Sequence, residues 1–357
     1  MRQFPITVLT LAALAAGSTP LLADSSTWRE QSEWVRDAHG VAMVSVDDAR
    51  GEIHLAASPD DRIHLKALKV VRGGSLDDAK RIAGETVVEL DESGGRLAIR
   101  VRYPHLHVSL NLWQNMSGER VPMDEVRLSI ELPASLAVEA TSASGDVTSE
   151  SLAGSQRLHT ASGDVTVSDA SGPVTVSSAS GDVSGQALAA ARVNTASGDV
   201  SMDGVRGGID IESTSGDVAV RGAVDSVRVR TVSGTVRIDD APRGADVGST
   251  SGEVTLGSAA GRVRVHTVSG DLEVRLRPGL RAADLGTQSG GLSVTLEPGL
   301  ACSIDAGTSS GEIDLGGSSS VTRHGHGRAI ATYGGGGAAV GLRTVSGDIR
   351  VVVGGGR

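Results

Sequence analysis

Nine carboxylates recur at one place in this sequence, directly after a glycine: Asp146, Asp164, Asp182, Asp199, Asp217, Glu253, Asp271, Glu312 and Asp348. Only Thr235 and Gly291 interrupt the series. Stacked at a strand spacing, such carboxylates repel by about 1 kcal/mol each in water, so something must offset the repulsion. One chemistry is structural, each side chain accepting backbone N–H groups at its own turn. The other is a row of weak calcium sites built from carboxylate and carbonyl oxygens, with Asp146, Asp164, Asp182, Asp199, Asp217, Glu253 and Asp271 as the candidate metal column. The Gly-Gly-x-Gly-x-Asp pattern of calcium-binding nonapeptide repeats is absent, and the turn role is the expectation. No other cofactor is expected.

Three further sets of residues invite chemistry. A Ser-Gly marker precedes each position of the acidic column, and two residues before each marker serine the side chain is always hydroxylated, from Ser142 and Thr160 to Thr308 and Thr344. Strand alternation turns these hydroxyls inward, where they would bond to neighbours and to the turn backbone; a flat outward array facing a lattice such as ice would require that alternation to break. Asp210 and Glu212 are followed one repeat later by Arg228 and Arg230, then by Asp246, then by Arg264 and His266, then by Asp284. Alternating charge makes neighbouring repeats attract, which points to control of register, with a ligand-binding face as the alternative. The pairs His105/His107 and His324/His326 lack a third metal ligand at a readable spacing and are expected to be exposed loop histidines. No HExxH, phosphate-loop or Cys-His arrangement is present, and Ser, Asp and His required by a repeat do not define a catalytic triad.

The elements that must position these residues follow from the period. Ser-Gly occurs at Ser144, Ser162, Ser180, Ser197, Ser215, Ser233, Ser251, Ser269, Ser289, Ser310 and Ser346, mostly 18 residues apart, with a final gap of 36. Three residues after the serine every position is apolar, and so is every position four residues before it, as at Val193, Ile211, Val229 and Val247. Two short alternating segments per repeat predict two strands per coil, with identical columns stacked about 4.8 Å apart. A left-handed hexapeptide helix would need apolar residues every sixth position, and Ser171 and Ser177 break that rule. The predicted fold class is therefore mainly all-β: a parallel β-solenoid with two strands per coil of about eighteen residues, preceded by a small α+β cap.

Composition agrees with stacked strands. Aromatic residues are 2% of the chain while Gly numbers 48, and the apolar stock is mostly β-branched. The net charge of −10 argues against nucleic acid or anionic lipid as partners held by bulk attraction, and the single Cys302 excludes a disulfide framework. Met1-Arg2-Gln3, an apolar run and Pro20-Leu21-Leu22-Ala23 have the order of a secretory signal, predicted over residues 1–23, with no transmembrane segment after cleavage. Residues 24–135 do not show the repeat and are expected to cap the first coil, with a helix opening at Ser75-Leu76-Asp77-Asp78 and a long loop over 102–124 carrying Trp113. Repeats are expected over 136–315, and a C-terminal cap with a Gly-rich hairpin and the last repeat over 316–357.

Thr195-Ala196-Ser197-Gly198-Asp199-Val200, its ten relatives, and Gly51-Glu52-Ile53 ahead of a capped helix resemble the bacterial putative adhesin family of β-strand-repeat, β-solenoid envelope proteins. That resemblance covers about residues 40–357 and implies an extracytoplasmic scaffold, periplasmic or on the cell surface, sometimes associated with envelope-stress systems. It supplies no catalytic residues. The expected role is a non-enzymatic, adhesin-like scaffold whose long faces meet an envelope protein or a polysaccharide. The alternatives are a polysaccharide-active β-helix enzyme, for which Trp113 and Tyr333 are the aromatic candidates, and a calcium-dependent adhesion module.

Overall fold

The computed structural model describes residues 27–104, 123–318, 320–323 and 327–354. The predicted signal, both histidine pairs and Trp113 lie outside them. The chain divides into two compact units, residues 1–166 and 167–357. Each is built on the parallel β-solenoid, two strands per coil, that the repeat predicts, and a coil is named here by its marker serine.

In the first unit, Gln156–Thr160 runs parallel to Ala137–Ser142, pairing Thr160 with Ser142. An additional coil lies ahead of these. Met43–Asp48 runs parallel to Ala137–Ser142 with Asp48 opposite Ser142, and Ile53–Ser58 runs parallel to Val147–Glu150 with Ile53 opposite Val147. Asp48-Ala49-Arg50-Gly51-Glu52-Ile53 is thus a repeat in which Asp replaces the buried hydroxyl and Arg the marker serine. Both outer edges of this coil are covered. Arg96–Arg102 pairs with Met43–Asp48 and Met123–Pro133 with Ile53–Ser58, and antiparallel strands Val87–Ser93, Arg62–Arg72 and Thr27–Asp37 continue the cover. Sheet edges left open would template pairing with another chain. The helix Leu76–Glu85 starts where expected, the Ser75 hydroxyl accepting the Asp78 N–H, and buries Ala79, Ile82 and Ala83 with Val71 and Trp28.

In the second unit the two apolar columns form a thin core. Val176, Val193, Ile211, Val229, Val247, Val265 and Leu285 are all at most 1% exposed, as are their counterparts Val183, Val200, Val218, Val236, Val254, Leu272 and Leu292. β-branched side chains suit this stacking because their restricted rotamers pack on flat, pleated strands. Between the strands the marker glycine is forced by close approach. A Cβ at Gly198, Gly216, Gly234, Gly252 or Gly270 would lie 2.1–2.3 Å from the carbonyl oxygen of the glycine one coil back, and all five have positive φ. Two strands are longer than the repeat predicts: Val254–Ser269 and Leu272–Ser289 each run through a corner as one bulged strand.

Order along the sequence and order in space part company at the end of this unit. Ala338–Ser346 lies between Leu272–Ser289 and Cys302–Ser310, pairing Thr344 with both Thr287 and Thr308. Ile349–Val353 likewise lies between Leu292–Leu296 and Ile313–Leu315. The last repeat in the sequence is therefore inserted ahead of the Ser310 coil. Arg328–Tyr333, half of the hairpin formed with Ser320–Arg323, pairs antiparallel to the free side of Cys302–Ser310 and closes that edge.

Candidate functional site

The acidic column works between coils. Asp146 Oδ1 accepts the N–H of Asp164 at 2.9 Å in the first unit. In the second, Asp182 accepts from Asp199, Asp199 from Asp217 and Asp217 from Thr235, each at 2.8 Å. Asp271 accepts from Gly291 at 2.7 Å and Asp348 from Glu312 at 2.8 Å. Each carboxylate thus holds the next coil at the equivalent position, where the expectation was a bond within its own turn. The column can tolerate Thr235 and Gly291 because every residue there still offers an N–H. Glu253 is one methylene too long for this geometry, and its carboxylate meets the Thr255 hydroxyl at 3.4 Å. Among the described residues, no group of three or more His, Cys, Asp or Glu gathers to hold a metal ion.

The hydroxyl column faces inward, every member being buried. Its bonds change direction with the corner. Ser142 and Thr160 accept the N–H of Gly145 and Gly163 at 2.8 and 2.9 Å, whereas Thr195, Ser213 and Thr231 donate to the carbonyls of Ser197, Ser215 and Ser233 at 2.9–3.0 Å. Gly198, Gly216 and Gly234 have positive φ, and that rotation presents a carbonyl in place of an N–H. Hydroxyls are used because they can either donate or accept.

The outer face of the first strand in each coil carries the alternating charges in register: Arg192 opposite Asp210, Asp210 opposite Arg228, Arg228 opposite Asp246, and Asp246 opposite Arg264. Arg192 donates to Asp210 at 3.0 Å and Arg230 to Asp246 at 3.0 Å; His266 lies 3.4 Å from Asp284. A device recurs here that the sequence reading missed. Arg230, His266 and Arg343 each lean over a glycine of the next coil, Gly248, Gly286 and Gly307, toward the aspartate two residues before it. The signal was available as Asp-x-Gly at Asp246, Asp284 and Asp305. Arg328 from the hairpin also binds Asp305 through two nitrogens at 2.9 Å, and the Arg328 and Arg343 guanidiniums hold its carboxyl below the usual carboxylate range. An open groove of about 620 Å³ runs along this face, lined by Arg192, Arg228, Arg243, Arg262 and Arg264 with Asp210 and Asp246.

A second cluster, also missed, is buried in the first unit. Asp48 is fully buried; its Oδ1 accepts the N–H groups of Arg50 and Gly51 at 3.1 and 3.2 Å and the Tyr103 hydroxyl at 2.5 Å. Arg50 pairs with buried Asp124 and stacks 5.1 Å from the centre of the Tyr103 ring. Burial pushes the Asp48 carboxyl up and, with the Asp48 charge beside it, pushes the Tyr103 hydroxyl up as well. Asp48 and Asp124 each keep one oxygen without a partner among the described residues. Tyr333, expected in a loop, ends a strand, is 3% exposed and donates to the Gly316 carbonyl, so it offers no platform for a sugar ring.

The chain resembles a putative cell adhesion protein from Clostridium sporogenes at 11% identity, over 92% of this chain and 100% of that one, with a TM-score of 0.25. A putative adhesin from Bacteroides fragilis matches at 8% identity over 91% and 97% of the two chains, with a TM-score of 0.25. A putative lipid binding protein from Parabacteroides distasonis matches at 12% identity over 76% and 95%, with a TM-score of 0.33. No curated protein matches the chain. The Toastrack DUF4097 family model matches residues 44–242 and 221–352, and both matches fall on the coils and caps described above. The chain belongs to the Toastrack DUF4097 family.

Proposed function

We propose that this protein is a non-enzymatic, exported scaffold of the cell envelope that acts by binding, in the manner the adhesin-like relatives are named for. The observation that carries the reading is the outer face of the second unit, where parallel register fixes a charged side chain of alternating sign on successive coils. Such a face is ordered before any partner arrives, which lowers the entropy cost of binding. The secretory pattern of residues 1–23 supports export to the periplasm or cell surface, and among the described residues no helix is long and apolar enough to cross a membrane. A tie to envelope stress rests on the family resemblance alone.

A carbohydrate-active enzyme would need a free acid and base at one cleft. The groove carboxylates Asp210 and Asp246 already hold Arg192 and Arg230, which favours the binding reading. Bonds from Asp199, Asp217 and Asp271 to the next coil favour a structural column over calcium-dependent adhesion. The test is cross-linking of the mature protein in envelope extract beside assays for new reducing ends on a panel of polysaccharides. Specific capture without cleavage is the expected result; release of reducing ends at enzymatic rates would replace this function with catalysis.

A further inference from the structure

The groove on the outer face of the second unit has a charge opposite to that of the whole chain. Five arginines and two aspartates line it, in a protein of net charge −10. Arg192, Arg228 and Arg264 stand in one column on alternate coils, with Asp210 and Asp246 between them. Alternate coils are separated by about 10 Å, twice the spacing of neighbouring strands. Arg192 engages Asp210 through one nitrogen, Arg228 lies 3.8 Å from Asp246, and Arg262 and Arg264 form no ion pair among the described residues. Gly208 adds no side chain to the groove, and no atom lies within 4 Å of where one would begin.

That spacing selects among anions. Each strand of a nucleic-acid duplex carries a phosphate about every 3.4 Å of its axis, so phosphates would fall against Asp210 and Asp246 as well as against the arginines. An extended acidic glycan with one uronate per disaccharide carries its charges close to the two-coil period, and its uncharged rings would pass over the aspartates. Carboxylates also suit the planar guanidinium fork, which binds them through two parallel N–H bonds.

We propose that this groove binds an extended uronate-bearing polysaccharide, with Arg192, Arg228 and Arg264 each receiving a carboxylate; the inference rests on the binding function above and names its ligand class. The test is affinity electrophoresis through gels containing hyaluronate, which alternates a uronate with an uncharged sugar, or dextran or a duplex oligonucleotide. It compares the wild-type protein with the triple variant Arg192→Ser, Arg228→Ser, Arg264→Ser and with a triple of equal charge on the second strands, Arg221→Ser, Arg237→Ser, Arg275→Ser. The expected result is retardation of wild type and second-strand variant by hyaluronate, none by dextran, and at least a tenfold weakening in the groove variant. Should the groove variant lose its cooperative melting transition, Arg264→Lys, which keeps charge and loses the fork, is expected to weaken binding severalfold. Equal loss in both triples, or tighter binding to the oligonucleotide, would overturn the proposal. Absence of retardation with envelope capture intact would remove the glycan and leave the binding function standing, whereas shortening of the polymer would remove the binding function itself.

Discussion

Arg230 crosses from one coil to the next to donate to Asp246 at 3.0 Å, and its side chain occupies the space that a residue larger than Gly248 would need. The pair is partly exposed, so its expected coupling is small, about 0.2–1 kcal/mol. A double-mutant cycle of Arg230→Ser and Asp246→Ser should give a coupling in that range that shrinks as salt is raised. A coupling unaffected by salt would mean that packing over Gly248 carries the interaction.

Two glycines should respond oppositely to the same methyl group. At Gly234 a Cβ would stand 2.1 Å from a backbone carbonyl at φ +118°, and Gly234→Ala is expected to cost about 3 kcal/mol or more, or to prevent folding. At Gly248 it would meet the Arg230 side chain, at Cδ, at 3.1 Å and not a backbone atom, and Gly248→Ala should cost less than about 1 kcal/mol. Urea midpoints of the two variants measure the difference.

The interior column allows a sharper contrast. Val229 is fully buried between Ile211 and Val247, so Val229→Asp should destabilise by about 3–5 kcal/mol, leaving a charge without a partner. Arg230→Ser next to it should cost about 1 kcal/mol or less. Similar midpoints for the two would contradict the inward and outward assignment.

Replacing Asp199, Asp217 and Asp271 together by Asn keeps an oxygen for each N–H of the next coil, and stability should change little. Replacement by Ala removes three bonds, each worth about 1 kcal/mol or somewhat more with a charged acceptor. Millimolar calcium should leave the wild-type melting temperature unchanged. A rise of several degrees that the Asn variant loses would restore the calcium reading.

Asp48 should make the protein sensitive to pH in an unusual direction. Burial raises its folded-state pKa above the ordinary 3.8, so the folded chain holds this proton more tightly than the unfolded chain. Its contribution to stability is complete below that ordinary value and is lost as pH rises through the raised one. Asp48→Asn retains an acceptor for Tyr103 without the charge, so its stability advantage over wild type should grow as pH rises and then level off. Denaturation curves across acidic to neutral pH would show this; a constant difference would mean that Arg50 already balances the Asp48 charge.

The coil period, the two apolar columns and the inward hydroxyls were legible in the sequence, because side chains alternate across a strand and that alternation is local. The extra coil at Asp48 was not, since Arg50 replaced the serine on which the repeats are aligned and Asp48 replaced the hydroxyl. Nor was the partner of each corner aspartate, because an N–H one coil away and one in the same turn are equally compatible with Ser-Gly-Asp. Tertiary structure alone decided the order of the last coils. Thr287, Thr308 and Thr344 occupy identical columns, so any of their strands can pair in register with any other. What breaks that equivalence is non-local: Arg328–Tyr333 takes the outer edge of Cys302–Ser310, and Arg343, inserted on its other side, reaches Asp305 at 2.7 Å.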